Sequence, residues 1–231
     1  MKFFHICVFV LVTAFTISGC SGARMTLKQG DRIVFFGDSI TEQGAKPNGY
    51  VSIIRDELTA RFPTLGIEVI GAGVSGNKVT DLENRLVRDV LDKKPTAVVI
   101  YIGINDVWHW NLKNLKGTTK EKFESGLREI IARIQYSGAG VILCTPSVIG
   151  EKRDSSNAQD PMLKEYSEIS KKIAKDLSIE LCDLHKAFQD YLAAHNTENK
   201  EKGILTTAGD HLNDEGNKFV ANELLRFFIR R

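Results

Sequence analysis

Short apolar runs alternate along the chain with longer stretches in which apolar residues return every fourth position. The runs are "RIVFF" (32–36), "IEVI" (67–70), "AVVIYIG" (97–103), "GVILCTP" (140–146) and "IELCDL" (179–184). They are rich in Val and Ile and do not alternate strictly with polar residues, the pattern of strands covered on both faces of a parallel sheet. Between them, Leu82, Leu86 and Val90 keep helical spacing, as do Phe123, Leu127 and Ile131, and then Tyr166, Ile169, Ile173 and Leu177. A last helix is expected from Asn213, whose side chain can cap it, through Phe219 and Leu224 towards Phe228. Strand and helix in alternation predict an α/β fold, a three-layer α/β/α sandwich with right-handed crossovers. The stretch 147–160, "SVIGEKRDSSNAQD", reads as a long polar loop.

The N-terminus breaks this rhythm. Met1-Lys2 precede an apolar run that ends in Ser18-Gly19-Cys20, the plan of a secretory signal peptide over residues 1–19. The run resembles a bacterial lipoprotein signal, with Ile17-Ser18-Gly19-Cys20 matching the lipobox. That resemblance implies lipidation of Cys20 as the mature N-terminus, a tether over 20–30, and a domain over 31–231 anchored in the cell envelope, at the periplasm or the cell surface. A plain signal peptide and an uncleaved anchor are the other readings, and His5 makes the run a mediocre spanning segment. Removing 1–19 takes Lys+Arg from 31 to 30 against 29 Asp+Glu, so the mature chain is near neutral and offers no reason to expect nucleic acid. Of 231 residues, 42% are apolar and 26% charged, an ordinary balance for one domain with a sizeable core. Cys144 and Cys182 end two apolar runs and read as buried free thiols, although an oxidising compartment would permit a disulfide. No metal-ligand spacing is visible.

In a sheet of this kind ligands bind beyond the carboxyl ends of the strands. The residues there are Gly37-Asp38-Ser39-Ile40-Thr41 after the first run, Gly71 to Asn77 after the second, and Gly103-Ile104-Asn105-Asp106 after the third. "TTAGDHLNDEGN" places His211 just before the last helix. A serine hydroxyl needs a base within hydrogen-bond reach, and imidazole titrates near neutrality. Backbone N–H groups at glycine corners and a side-chain amide such as Asn105 can hold an oxyanion without carrying charge. "GAGVSG" also spells the dinucleotide fingerprint G-x-G-x-x-G, which needs an acidic residue at the end of the following strand. Gly103 and Asn105 stand there instead. His109, between Trp108 and Trp110, reads either as a pocket wall or as a half-exposed packing residue. His185 and His195 fall in an expected surface helix.

Four segments resemble the blocks of the SGNH, or GDSL-type, hydrolase family, in the family's order across nearly the whole mature chain. "FFGDSITEQG" is similar to the nucleophile block, "GAGVSGN" to the glycine block, "IGIND" to the G-x-N-D block and "HLNDEGN" to the histidine block. The resemblance implies a flavodoxin-like parallel five-stranded sheet, Ser39 as nucleophile and His211 as base. It implies an oxyanion hole from the Ser39 N–H, the Gly73 N–H and the Asn105 side chain, with no metal or organic cofactor. The family's orienting Asp, three residues before the histidine, is here Ala208, while Asp210 directly precedes His211. Asp210 or a backbone carbonyl is left to orient the ring. The expected activity is that of a serine esterase acting on small acyl or acetyl esters, on carbohydrate or as a lysophospholipase. The alternative is a catalytically impaired surface protein that binds acylated glycans.

Overall fold

The computed structural model describes residues 25–114, 116–154 and 156–229. The proposed leader, 1–19, and the lipidation site Cys20 lie outside them. Of the tether expected over 20–30, the described end is part of the body: Met25 and Leu27 pack against the core. Gly30 donates its N–H to the Leu65 carbonyl at 2.7 Å.

Five strands form one parallel sheet: β1 (Arg32–Gly37), β2 (Glu68–Gly73), β3 (Ala97–Tyr101), β4 (Gly140–Cys144) and β5 (Glu180–Cys182), in the order β2-β1-β3-β4-β5. Every residue of β3 and all but the first of β1 are buried, which is why these strands read as unbroken apolar runs. Successive side chains point to opposite faces. Phe35 meets Tyr50 of helix α2 (Tyr50–Arg61) with ring centres 5.9 Å apart, while Phe36 lies on the other face beneath Arg85 of helix α3 (Val79–Asp89).

Two further short helices follow β1 and β3, α1 (Ser39–Gly44) and α4 (Ile104–Trp108). The longer helices are α5 (Lys120–Tyr136), α6 (Asp160–Asp176), α7 (Leu184–His195) and α8 (Asp214–Leu225). Helix α2 packs on α8, α3 on α5 and α5 on α6, giving the layers on either side of the sheet. Asn213 caps α8 by accepting the Gly216 N–H at 2.8 Å, and the helix closes at Leu225, short of Phe228. Cys144 and Cys182 sit opposite each other in the β4–β5 register, free and buried.

Three expectations are corrected. The corner after the second apolar run starts later than residue 71. Gly71, Ala72 and Gly73 complete β2, and α3 begins only at Val79. The stretch 147–160 is not polar loop throughout. Ser147, Val148, Ile149 and Glu151 are buried, Lys152 is half-buried, and exposure begins at Arg153. His185 is also buried rather than on the surface, because α7 starts directly after β5 and the ring donates from Nδ1 to the Ser147 carbonyl at 2.7 Å.

Candidate active site

In this strand order the chain leaves β1 for β2 on one side and returns to β3 on the other. The switch point between β1 and β3 opens a crevice at their carboxyl ends. Gly37 ends β1 level with Gly73 on β2 and Tyr101 on β3, so the corners after these strands meet on one rim.

Ser39 is the first residue of α1. Asp38 is its N-cap, and the Asp38 carboxyl accepts the Ile40 N–H at 3.0 Å. The Ser39 N–H, at the first helical position, has no intrahelical carbonyl to bond. Gly73 lies hard against this turn. A β-carbon there would stand 2.1 Å from the Glu42 nitrogen and 2.7 Å from the Asp38 carbonyl oxygen, so only glycine lets the end of β2 approach. Asn105, in the first turn of α4, donates from Nδ2 to the Asn77 carbonyl at 3.1 Å, which fixes the plane of its amide.

The Ser39 hydroxyl stands 2.9 Å from Nε2 of His211. On the far side of the ring, Nδ1 is 3.0 Å from the Asp210 carboxylate. The chain does not run extended here, which is how neighbouring side chains come to meet. Thr207 donates its N–H to the His211 carbonyl at 2.8 Å, Thr206 and Leu212 form a bridge, and Gly209 takes a φ of +97° at the turn. The turn folds Asp210 back onto the ring. Ala208, exposed, carries no part of the contact.

The charges are tuned accordingly. The Asp210 carboxylate raises His211 above imidazole's ordinary value, against the opposing effect of burial, and Asp38 adds to the rise. Burial pushes Asp210 up, but the hydrogen bond and charge of His211 outweigh it and hold the carboxyl below its usual range. Asp38 is buried outright and is pushed up to about 7 by desolvation. Asp106 is pushed up to about 6 by the same cause. Rather than capping α4, it accepts the Val79 N–H at 3.2 Å and so ties α4 to the start of α3. His109 is buried, and burial lowers its basicity.

Two residues that sequence reasoning missed hold this arrangement. Arg85 donates to the Gly37 carbonyl at 2.6 Å, the Ala72 carbonyl at 2.9 Å and Asn77 Oδ1 at 2.6 Å, with its guanidinium over the Phe36 ring. It thereby joins the ends of β1 and β2 to the residue that orients Asn105. Its signal was an arginine inside an apolar stripe, between Leu82 and Leu86. Glu151, fully buried, accepts the N–H groups of Ile204, Leu205 and Thr206 at 2.7, 2.6 and 2.6 Å. Nothing in its local sequence distinguished it from a solvated loop glutamate. Among the described residues no group of three His, Cys, Asp or Glu side chains is placed to hold a metal ion.

The model of the GDSL-like lipase/acylhydrolase family matches residues 35–219. The chain belongs to this family. Among its GDSL-like relatives is an acetylxylan esterase of Geobacillus stearothermophilus, 36% identical over 185 residues that cover 73% of this chain and 82% of the relative. The crystal structure of an acetyl xylan esterase superposes with a TM-score of 0.83 at 44% identity, covering 86% of this chain and all of that one. A Bacillus subtilis (strain 168) protein, the uncharacterized lipoprotein YqeF, is 26% identical and covered to 95% on both sides. The GDSL-like chain is a carboxylic ester hydrolase of the serine-esterase type. The alternative of an impaired glycan-binding protein finds no support, since the relatives are esterases and a carboxylate does reach the histidine.

Proposed function

We propose that Ser39 is the nucleophile of a carbohydrate acetyl esterase, with His211 as its base and Asp210 as the carboxylate that orients the ring. The observation that carries this reading is the unbroken chain Ser39 Oγ, His211, Asp210, with contacts of 2.9 and 3.0 Å. His211 takes the Ser39 proton as the hydroxyl oxygen attacks the ester carbonyl. The oxyanion is held by the N–H groups of Ser39 and Gly73 and by the Asn105 amide, each such donor being worth about 3–4 kcal/mol of barrier. His211 returns the proton to the departing sugar hydroxyl, and the same base then activates a water that releases acetate from the acyl-enzyme. The acetylxylan esterase relatives support an acetyl group on carbohydrate as the substrate class.

The same reading places the esterase in the cell envelope, secreted through residues 1–19 and tethered by a lipid on Cys20. The lipobox and the likeness to a lipoprotein along 95% of both chains support this. Among the described residues no helix is long and apolar enough to cross a membrane.

Hydrolysis of p-nitrophenyl acetate and of acetylated xylooligosaccharides, by wild type, Ser39→Ala and His211→Ala, tests the assignment. Both variants are expected to lose about a thousandfold or more in kcat. Wild type no faster than Ser39→Ala on every ester would overturn it.

A further inference from the structure

We propose that Glu151 is a positioning residue for the catalytic pair, holding the turn that aims the Asp210 carboxylate at His211. The inference rests on the triad reading above and extends it to a side chain that touches no substrate. An acid next to its histidine in sequence gets no help from helix or strand periodicity, because neighbouring side chains point apart in both. Only the backbone of the turn can bring the two together.

That backbone is held from one short strap, Gly150-Glu151. The Gly150 N–H donates to the Gly209 carbonyl at 2.7 Å, at the residue whose φ of +97° makes the turn. Glu151 collects the N–H groups of Ile204, Leu205 and Thr206, the three residues that lead into it. Thr206 then receives the Gly209 N–H on its own hydroxyl at 3.1 Å. The strap is itself anchored, since Glu151 donates its N–H to the Glu201 carbonyl at 2.9 Å and its carbonyl accepts from Asn196 at 2.7 Å. The entry and the middle of the 206–211 turn are therefore fixed by two consecutive residues, and Thr207 closes its far end on the His211 carbonyl.

The chemistry calls for a carboxylate. Oε1 accepts two N–H groups and Oε2 accepts one, all on a side chain with no exposed surface. Bonds of backbone N–H groups to a carboxylate are the strong, charge-assisted kind. A glutamine would set its own amide donor against at least one of those N–H groups. An apolar side chain would leave three N–H groups without an acceptor, whereas this carboxylate fixes three peptide planes at the root of the turn.

A double-mutant cycle separates positioning from mere stability. Wild type, Glu151→Gln, Asp210→Asn and the double variant are compared on p-nitrophenyl acetate, with rates expressed per site titrated by a fluorophosphonate. Asp210→Asn is expected to lose about a hundredfold or more in kcat. Glu151→Gln is expected to lose about tenfold or more in kcat with little change in KM, and to add almost nothing on the Asp210→Asn background. The acid limb of its kcat/KM profile, which Asp210 and Asp38 hold up in wild type, is expected to fall towards imidazole's ordinary 6.5. Should Glu151→Gln fail to fold, Thr206→Val removes the next link and is expected to give the same limb shift with a smaller loss. Full activity per titrated site, an unmoved limb, or losses that multiply in the double variant would overturn the proposal. Failure of the triad reading looks different: Asp210→Asn would then itself match wild type.

Discussion

A carboxyl group buried beside Ser39 is a burden whose size depends on pH. Asp38 is pushed from 3.8 to about 7 by burial, so the native state prefers it protonated. The sign follows: the contribution of Asp38 to stability is fullest below 3.8 and is lost as pH rises towards 7, each displaced unit being worth about 1.4 kcal/mol. Asp38→Asn keeps an oxygen for the Ile40 cap and removes the ionisable proton. It is expected to melt higher than wild type at pH 8, with the advantage shrinking towards pH 4 in a series of thermal scans. A constant difference across that range would show that Asp38 is not the titrating group. The other residue-scale outcome concerns Ala208. Since Asp210 already reaches the ring, Ala208→Asp is expected to leave kcat/KM within about threefold of wild type on p-nitrophenyl acetate. A large gain would mean that Asp210 serves the ring poorly. Ser39, Asn105 and His211 could be singled out in the sequence because each stands just past an apolar run or just before a helix. Asp210 was legible only as one of two candidates, because its contact depends on a positive φ at Gly209 and the bridge from Thr206 to Leu212, which no side-chain pattern encodes.

Among the elements, β2 meets α1 at close quarters. Gly73→Ala must displace the backbone of Thr41 and Glu42, at 2.5 and 2.1 Å from the new carbon, and with them the serine one turn earlier. It is expected to lower kcat about a hundredfold and to destabilise the fold by a few kcal/mol, read by single-turnover kinetics and urea unfolding. Arg85→Lys keeps the charge and gives up the fork that reaches Gly37, Ala72 and Asn77 together. About tenfold of kcat is expected to go, with KM little changed, and an unaltered kcat would show that Asn105 keeps its orientation without Arg85. The strands covered on both faces announced themselves as apolar runs. The last half of β2 did not, because Gly71-Ala72-Gly73 trade side chains for close approach to α1, and a run of small residues reads as a turn. The strap at 148–151 was hidden for a related reason: its one charged side chain satisfies backbone groups that lie more than fifty residues away.

For the whole molecule, the alternation of strands and helices was enough to place the sheet and its two helical layers, since right-handed crossovers leave few other arrangements. Anchoring is tested at this scale too. Full-length protein made in a bacterial host is expected to enter the detergent phase on Triton X-114 partition, and Cys20→Ala to move to the aqueous phase with its esterase activity intact. Equal partition of the two would remove the lipid from the reading.

The sheet order has one more consequence, for the order in which the parts become available. The proposed nucleophile and oxyanion donors all lie between residues 37 and 105, while the histidine proposed as their base follows only at 211. The three corners and the base therefore come from opposite ends of the described chain. On the proposed triad, a fragment that stops short of residue 211 is expected to be inert towards esters.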